Sequence, residues 1–600
     1  MCGIAAVTGR FDEEVLARLG AALEHRGPDD SGTFVAGDAA LVARRLAILD
    51  LEGGHQPMTN GDRTIAIAFN GEIFNAPELR ARLERDGHRF QTDHSDTEVV
   101  LALYERGGDG FLDDLNGMFA FAILDLVRRR LFAARDRFGI KPLYYARPHG
   151  NLALASELRT LLHVPGIERE LDRESLFHYL SLRFVPGGRS ILEGIRRLPP
   201  GHLLRYDLDT RELETERWWR LRFEPEAGSR DEWRDRLRAA LRDAVDRWTL
   251  SDVPIACSLS GGLDSSAIVG LLAEAGHRNL RTYTLGFTGA EDELPLARGL
   301  AERYGTRHHE AVVDADELLD QLLQMVWALD EPYGGGLPSW FVFRFMSEDV
   351  KVGLTGSGGD ELFGNYRRFV PFEQGRLASL RRRPVRRYHF EPSYYFPDDE
   401  KRGVLVDGRA PDTADLLQAV YDESGSASAR DSVLYLDMAT QLADEFLLMT
   451  DRFSMAHSLE ARTPYLDHEL VELVARIPPE LRTSADDPKG LLRDTVADLL
   501  TPGHLEAPKR GFVFPLARWL REELRPLAER LLSDDHLERQ GLFRPVIAER
   551  YLRPHLDGVR DESERLWPLL MFQLWHLLYV EEELAGPPSF TWRDVTAASA

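Results

Sequence analysis

Cys2 stands directly behind the initiator methionine in a chain that uses cysteine only twice. Once that methionine is removed, a thiol and a free α-amine share one carbon, a nucleophile with its own base. Other residues offer matching chemistry. In ARRLAILD, Arg45 lies beside an apolar strand, where its guanidinium can clamp an α-carboxylate. FNGEIFN sets Asn70, Gly71 and Glu72 at a strand end. Asn-Gly is the favoured two-residue hairpin turn, yet an Asn amide beside a Gly N–H is also what an oxyanion hole requires. In HSDTEVV, Asp96 falls at a helix start, as an N-cap or as the partner of an ammonium group.

A second cluster follows the apolar run VPIACSL. Ser260, Gly261, Gly262, Leu263, Asp264, Ser265 and Ser266 crowd a helix start with small residues and hydroxyls. Their N–H and O–H groups suit an anion, with the helix dipole behind them. The spacing is not that of a P-loop, because no G-x-x-x-x-G-K-[ST] is present. Further on, VGLTGSGGDELFGNY presents Asp360 and Glu361 after another strand, and two carboxylates opposite a phosphate loop suit Mg²⁺. Of 74 basic residues only Lys141, Lys351, Lys401, Lys489 and Lys509 are lysines, so a retained lysine hints at a task for a compact point charge.

These groups need elements to position them. Up to about residue 205 the chain alternates short apolar strands with Gly and Asn turns, interrupted by helices near Glu13–Glu24 and Thr97–Arg106. ETERWWRLRFEPEAGSR reads as a connection. From Asp231, helical periodicity alternates with the isolated strands VPIACSL, RTYTLGF and VKVGLTG, the pattern of a helix-covered parallel sheet. Beyond about residue 405 the pattern is almost entirely helical. The expected division is 1–210, 231–585 and a loose tail at 586–600.

Composition agrees with a globular chain of two domains: 600 residues, 43% hydrophobic and 29% charged. The net charge of -25 argues against nucleic acid as a main partner. No run reaches a membrane span; LWPLLMFQLWHLLYV, broken by Pro568, Gln573 and His576, reads as a buried helix. With no secretory start and no disulfide framework, a reducing cytoplasm is expected.

MCGIAAV, HRGPDDSG, RRLAILD, FNGEIFN, SDTEV and ARDRFGIKPLYY together resemble the glutaminase domain of class II glutamine amidotransferases, in particular the asparagine synthetase family. The resemblance implies an α+β N-terminal-nucleophile domain of two stacked antiparallel sheets. Cys2 would attack the glutamine side-chain amide, its α-amine would shuttle the proton, and Asn70 with Gly71 would stabilise the oxyanion. Arg45, Glu72 and Asp96 would hold the glutamine backbone groups. SGGLDSS resembles the pyrophosphate loop of ATP-pyrophosphatases, which implies an α/β synthetase domain with a helical C-terminal part. It assigns ATP to Leu259, Ser260, Gly261, Gly262, Asp264, Ser265, Ser266, Leu285, Thr355 and Gly356, and Mg²⁺ to Asp264 and Asp360. Lys489, in DPKGLLRD, matches the lysine that stabilises the activated acyl group and departing pyrophosphate. Glutamine, ATP and a carboxylic-acid acceptor are the implied partners, aspartate the default acceptor, a homodimer the usual assembly, and an internal channel the route for ammonia.

Two departures leave the acceptor open. Ser357 stands where the family usually has Glu or Asp, and DEPYGGGLPSW looks shorter, with three glycines that suggest a wider pocket. Arg376, Arg381, Arg382, Arg383, Arg386 and Arg387 read either as solvated surface or as a phosphate grip. The same chemistry on a sugar carboxylate or natural-product acid is therefore the alternative. A synthetase without glutaminase function, an amidotransferase sharing only the first domain, and a non-catalytic scaffold each leave one or both residue clusters unexplained.

Overall fold

The computed structural model describes residues 2–288, 294–366, 384–390, 394–484, 486–506 and 515–597. The first domain is built on two six-stranded antiparallel sheets. One runs, edge to edge, Ile195–Arg197, Tyr144–Ala146, Ala153–Ala155, Cys2–Thr8, Ala39–Arg45 and Asp30–Ala36; the other runs Leu213–Arg217, His202–Asp207, Arg130–Arg135, Gly117–Asp125, Ile65–Ile73 and Met58–Thr59. The layer between them is rich in alanine: Ala6, Ala43, Ala66, Ala68, Ala120, Ala122 and Ala133 pack around Ile4, Leu41 and Leu204. Small side chains let the two sheets approach closely. On the outer face of the second sheet, Ile67, Phe69, Phe119 and Phe121 meet Leu79, Leu83, Val99 and Val100 of helices Ala76–Arg85 and Asp96–Gly107.

Asn70, Gly71 and Glu72 lie within strand Ile65–Ile73, opposite Ala120, Phe119 and Met118, and form no hairpin turn. The turn chemistry of Asn-Gly loses here to a nine-residue strand held by its neighbour. Glycine is required at 71 for another reason: a Cβ there would lie 2.2 Å from the Met118 carbonyl oxygen. Besides the expected helices, Ala76–Arg85, Leu158–Leu161 and Arg173–Leu182 also form in this domain.

The second domain holds a parallel sheet in the order Arg307–Val313, Arg281–Phe287, Ile255–Ser258, Val352–Leu354 and Glu460–Arg462. Two of these strands escaped the sequence pattern. RHHEAVV is polar, and Glu460–Arg462 is only three residues inside a helical region. The order reverses between Ile255–Ser258 and Val352–Leu354, so the loops after these strands meet at the switch point where open α/β sheets bind ligands.

No described helix is long and apolar enough to cross a membrane. The apolar run near the C-terminus forms helix Ser563–His576, buried from Leu566 onward. The expected loose tail is corrected: Trp592–Ala597 is a helix, and Trp592 and Val595 are buried in the core.

Charged pairs join the two domains. The buried Arg26 guanidinium holds the Asp451 carboxylate at 2.7 and 3.0 Å, and Asp330 accepts from the Leu158 and Arg159 backbone N–H groups. Buried charges persist only when paired in this way.

Candidate active sites

Cys2 opens the strand Cys2–Thr8 and is buried between the sheets. Its N–H donates to Asn70 Oδ1 at 3.0 Å, and its carbonyl accepts from Arg26 Nε at 3.1 Å. Gln56 Nε2 lies 3.7 Å from Sγ, while Gln56 Oε1 accepts from the Phe69 N–H at 2.7 Å. Burial pushes the thiol above its ordinary value, opposed by the amino terminus and the Arg45 guanidinium. A thiol held protonated needs a base beside it to act as a nucleophile.

Asn70 spends its carbonyl oxygen on Cys2, and its buried Nδ2 has no partner among the described residues. A buried amide N–H₂ left unpaired carries a desolvation penalty that a ligand oxygen would relieve. Arg45 is fixed by the carbonyls of Leu49, Asp50 and Leu51 at 2.7 to 3.0 Å, so its guanidinium is already oriented. Asp96 accepts from the Ile73 N–H at 3.0 Å, and burial pushes its carboxyl up to about 6. Glu72 faces the other domain: its Oε2 lies 3.4 Å from Arg462 Nη2, while its buried Oε1 has no hydrogen-bond partner among the described residues. Burial, with the Asp96 charge adding to it, lifts Glu72 well above the usual carboxylate range.

At the switch point, Leu259 donates its N–H to the Tyr283 carbonyl at 2.8 Å, and the Thr284 hydroxyl donates to the Leu259 carbonyl. Gly261 sits at φ +78°, a left-handed conformation that glycine adopts freely. The Ser260 N–H donates to Ser265 Oγ at 3.1 Å, and the two hydroxyls lie 3.0 Å apart. Ser266 Oγ, buried at the start of helix Leu263–Glu274, has no hydrogen-bond partner among the described residues. Leu285 belongs to the hydrophobic core of the neighbouring strand.

Across this loop, Thr355 donates its N–H to the Arg462 carbonyl at 2.8 Å, and its hydroxyl donates to Ser357 Oγ at 3.2 Å. Gly356 packs on Asp264, where a Cβ would come within 3.0 Å of the Asp264 Cβ. Lys489, 3% exposed, places Nζ 2.5 and 2.7 Å from the Asp264 oxygens and 2.5 Å from Asp360 Oδ1. Burial works against its charge, but the two carboxylates prevail and hold it above the ordinary lysine value. Asp264 and Asp360 therefore converge on the Lys489 ammonium, and no group of three or more His, Cys, Asp or Glu side chains suited to a metal forms among the described residues.

Four residues in these sites, Arg26, Gln56, Arg462 and Tyr465, escaped assignment from sequence, whereas the sequence singles out Glu361 beside Asp360. Arg26 sits inside the HRGPDDSG motif, which could have flagged it; Gln56 carries no local signal. Arg462 links the two sites, with its side chain on Glu72 and its backbone on Thr355. Tyr465 donates its hydroxyl to the Asp264 carbonyl at 3.2 Å. Glu361 accepts from the Tyr366 hydroxyl and is pushed to about 7 by burial and by Asp360. A carboxyl near 7 can accept a proton where Ser357 supplies no acid.

Two of the three glycines open no space, while a Cβ on the exposed Gly336 would meet only Pro338 Cδ, at 3.4 Å. A Cβ on Gly334 would lie 2.8 Å from the Pro568 Cβ, and one on Gly335 would lie 2.1 Å from the Tyr333 hydroxyl, so the space beside both is filled. Of the arginine run, Arg376, Arg381, Arg382 and Arg383 lie outside the described residues, as does Lys509. Arg386 pairs with Asp412 at 2.5 Å and Asp398 at 3.6 Å, a structural role, and Arg387 is exposed.

Residues 236–577 match the asparagine synthase family, and residues 1–219 match the glutamine amidotransferase domain family. A glutamine-hydrolysing asparagine synthetase 1 of Bacillus subtilis strain 168 is 32% identical over 98% of this chain and 99% of its own length. Asparagine synthetase 3 of that organism is 34% identical over 90% of this chain and 94% of its own. A glutamine-hydrolysing asparagine synthetase 2 of Oryza sativa subsp. japonica is 36% identical over 61% of this chain and 60% of its own.

Proposed function

The chain belongs to the asparagine synthase family and carries its glutamine amidotransferase domain, and on that premise we propose that it makes asparagine from aspartate, ATP and glutamine. The observation that carries the glutaminase half is the unpartnered Asn70 Nδ2 beside Cys2.

In this reading Cys2 Sγ attacks the glutamine side-chain carbonyl carbon, and the Cys2 α-amine takes the thiol proton. The tetrahedral oxyanion is met by Asn70 Nδ2 and the Gly71 N–H. Its collapse expels ammonia, which leaves with the proton from the α-amine, and water then hydrolyses the thioester to glutamate. Arg45 would hold the glutamine α-carboxylate, and Asp96 with Glu72 its α-ammonium. In the second domain the aspartate β-carboxylate attacks the α-phosphorus of ATP, and pyrophosphate leaves. Ammonia then attacks the acyl-adenylate carbon, giving asparagine and AMP. The loop 260–266 would cradle phosphate oxygens, and Lys489 would move its charge onto the departing pyrophosphate. Asp264 and Asp360 would hold a magnesium ion, which draws negative charge from the phosphates. Homodimeric assembly and a cytoplasmic setting belong to the same reading; the two cysteines, Cys2 and Cys257, are free and buried.

Aspartate is favoured over a sugar carboxylate or natural-product acid, because relatives matching over nearly the whole chain are named as asparagine synthetases and the space beside Gly334 and Gly335 is filled. The test is pyrophosphate release with ATP, Mg²⁺ and glutamine, comparing aspartate with a panel of other acids. Aspartate-dependent release with an asparagine product is expected; release driven better by another acid would overturn the acceptor.

The Asp96 carboxyl near 6 sets a pH dependence. Below that value it is protonated and loses its attraction for the glutamine α-ammonium. In the parent, protonation of Asp96 should steepen the fall of kcat/KM for glutamine by roughly a further tenfold per pH unit below about 6. In Asp96→Asn the value should be low throughout and keep only the shallower fall set by protonation of the Cys2 α-amine. An unchanged slope in the variant would remove Asp96 from this role.

A further inference from the structure

A cavity of about 800 Å³ lies between the domains, away from both sites; Cys2, Asn70, Asp96, Asp264, Asp360 and Lys489 are not among its lining residues. We propose that this cavity, walled by Arg18, His25, Arg159, His163, Arg169 and Gln324, binds a small hydroxylated phosphate ester and couples its occupancy to the Cys2 site. Its volume is that of a small-molecule site.

The guanidiniums point to an anion. Arg18, Arg159 and Arg169 face the cavity, each also beside a carboxylate (Glu14, Glu157 and Glu583) with which a ligand competes, and Glu24 is the acid on the wall. Burial holds His25, His163 and His457 below the ordinary histidine value, so they serve as neutral hydrogen-bonding groups. Two of the arginines are oriented in advance by backbone carbonyls: Arg159 Nη1 donates to Trp327 O at 2.9 Å, and Arg169 Nη1 donates to Tyr579 O at 2.5 Å. Pre-positioned guanidiniums lose little freedom when they take a phosphate. Two polar atoms on the same wall have no hydrogen-bond partner among the described residues, Gln324 Oε1 and His457 Nε2. Gln324 Oε1 is an acceptor and takes an O–H donor, which a hydroxylated ester can present to it while its phosphate meets the arginines.

Contacts run from this wall to the nucleophile. His25 Nε2 lies 2.7 Å from Arg159 Nη2 and 3.0 Å from Glu157 Oε1, and Arg159 Nη2 pairs with Glu157 Oε2 at 2.5 Å. Glu157 Oε1 accepts from Arg26 Nη1 at 3.0 Å, and Arg26 Nε donates to the Cys2 carbonyl. An anion that shares the Arg159 guanidinium in place weakens its hold on Glu157, which Arg26 and Arg452 also hold, and so changes the clamp on Cys2. Such coupling is a free energy shared by both sites.

Calorimetry on the full chain with glucose 6-phosphate as probe, and inorganic phosphate as comparison, tests the binding. Saturable binding of glucose 6-phosphate is expected, weaker for phosphate, and weakened about tenfold in Arg169→Ala and in Arg18→Glu. Arg18 is exposed and pairs with Glu14 one turn away on its own helix, so Arg18→Glu is expected to fold and the test survives if Arg169→Ala misfolds. Saturating probe should change glutamine hydrolysis by about threefold or more in the parent, and by less in Arg18→Glu at the same concentration. No saturable binding, or equal affinity in Arg18→Glu, would overturn the site. Equal binding of phosphate would overturn the ester. Binding without any change in hydrolysis would overturn the coupling. The coupling rests on Cys2 as nucleophile, whereas the calorimetric result does not, so the two readings fail separately.

Discussion

Cys2→Ala is expected to lower glutamine hydrolysis by roughly three orders of magnitude or more, while asparagine synthesis from added ammonium salts continues at close to the parental rate. The argument is chemical and spatial. Sγ is the atom that would bond to the glutamine carbon, and no other thiol can substitute, since Cys257 is buried on the strand of the other domain. Alanine leaves the backbone bonds from Cys2 N–H to Asn70 and from Arg26 to the Cys2 carbonyl intact, so the fold and the second site should persist. Glutamate release and ammonium-dependent pyrophosphate release, measured on one preparation, separate the two. Residual glutaminase near the parental rate would remove Cys2 from the chemistry, and loss of both activities would mean a structural role.

The second large effect lies at Lys489. Lys489→Met should lower aspartate-dependent pyrophosphate release by about a hundredfold to a thousandfold, with glutamine hydrolysis within about twofold of the parent. The ammonium is the one cation that touches both Asp264 and Asp360 in the contacts described above, and methionine keeps the length of the stem while deleting the charge. Lys489→Arg should rescue poorly, because a planar fork cannot occupy a point between two carboxylates in the way an ammonium does. Parental pyrophosphate release in Lys489→Met would exclude the lysine from the reaction.

Both sites lay open in the sequence where a local pattern dictates local geometry. SGGLDSS forms the strand–turn–helix it suggests because glycine, small hydroxyls and an apolar helix face all agree. Cys2 and Asn70 are 68 residues apart, yet their apolar flanks set them on adjacent layers around an alanine core. The sequence misled where a local preference met a stronger distant one. Asn70-Gly71 has the chemistry of a turn, but nine residues of strand pairing with Gly117–Asp125 override it. The glycines at 334 and 335 read as open space, and only the positions of Pro568 and Tyr333 show it filled. Trp592 and Val595 lie in a stretch too short to display helical periodicity, so its burial was invisible. Interface pairs such as Arg26 with Asp451 join residues 425 positions apart, a separation that no window on the sequence spans.

The central claim is that one chain moves nitrogen from glutamine to aspartate. It is tested most directly by incubating the protein with glutamine labelled with ¹⁵N in its side-chain amide, aspartate, ATP and Mg²⁺, and following the label by NMR. The account predicts ¹⁵N in the side-chain amide of asparagine, with AMP and pyrophosphate formed in equal amounts. Labelled ammonium accumulating beside unreacted aspartate, while both half-reactions run, would contradict it.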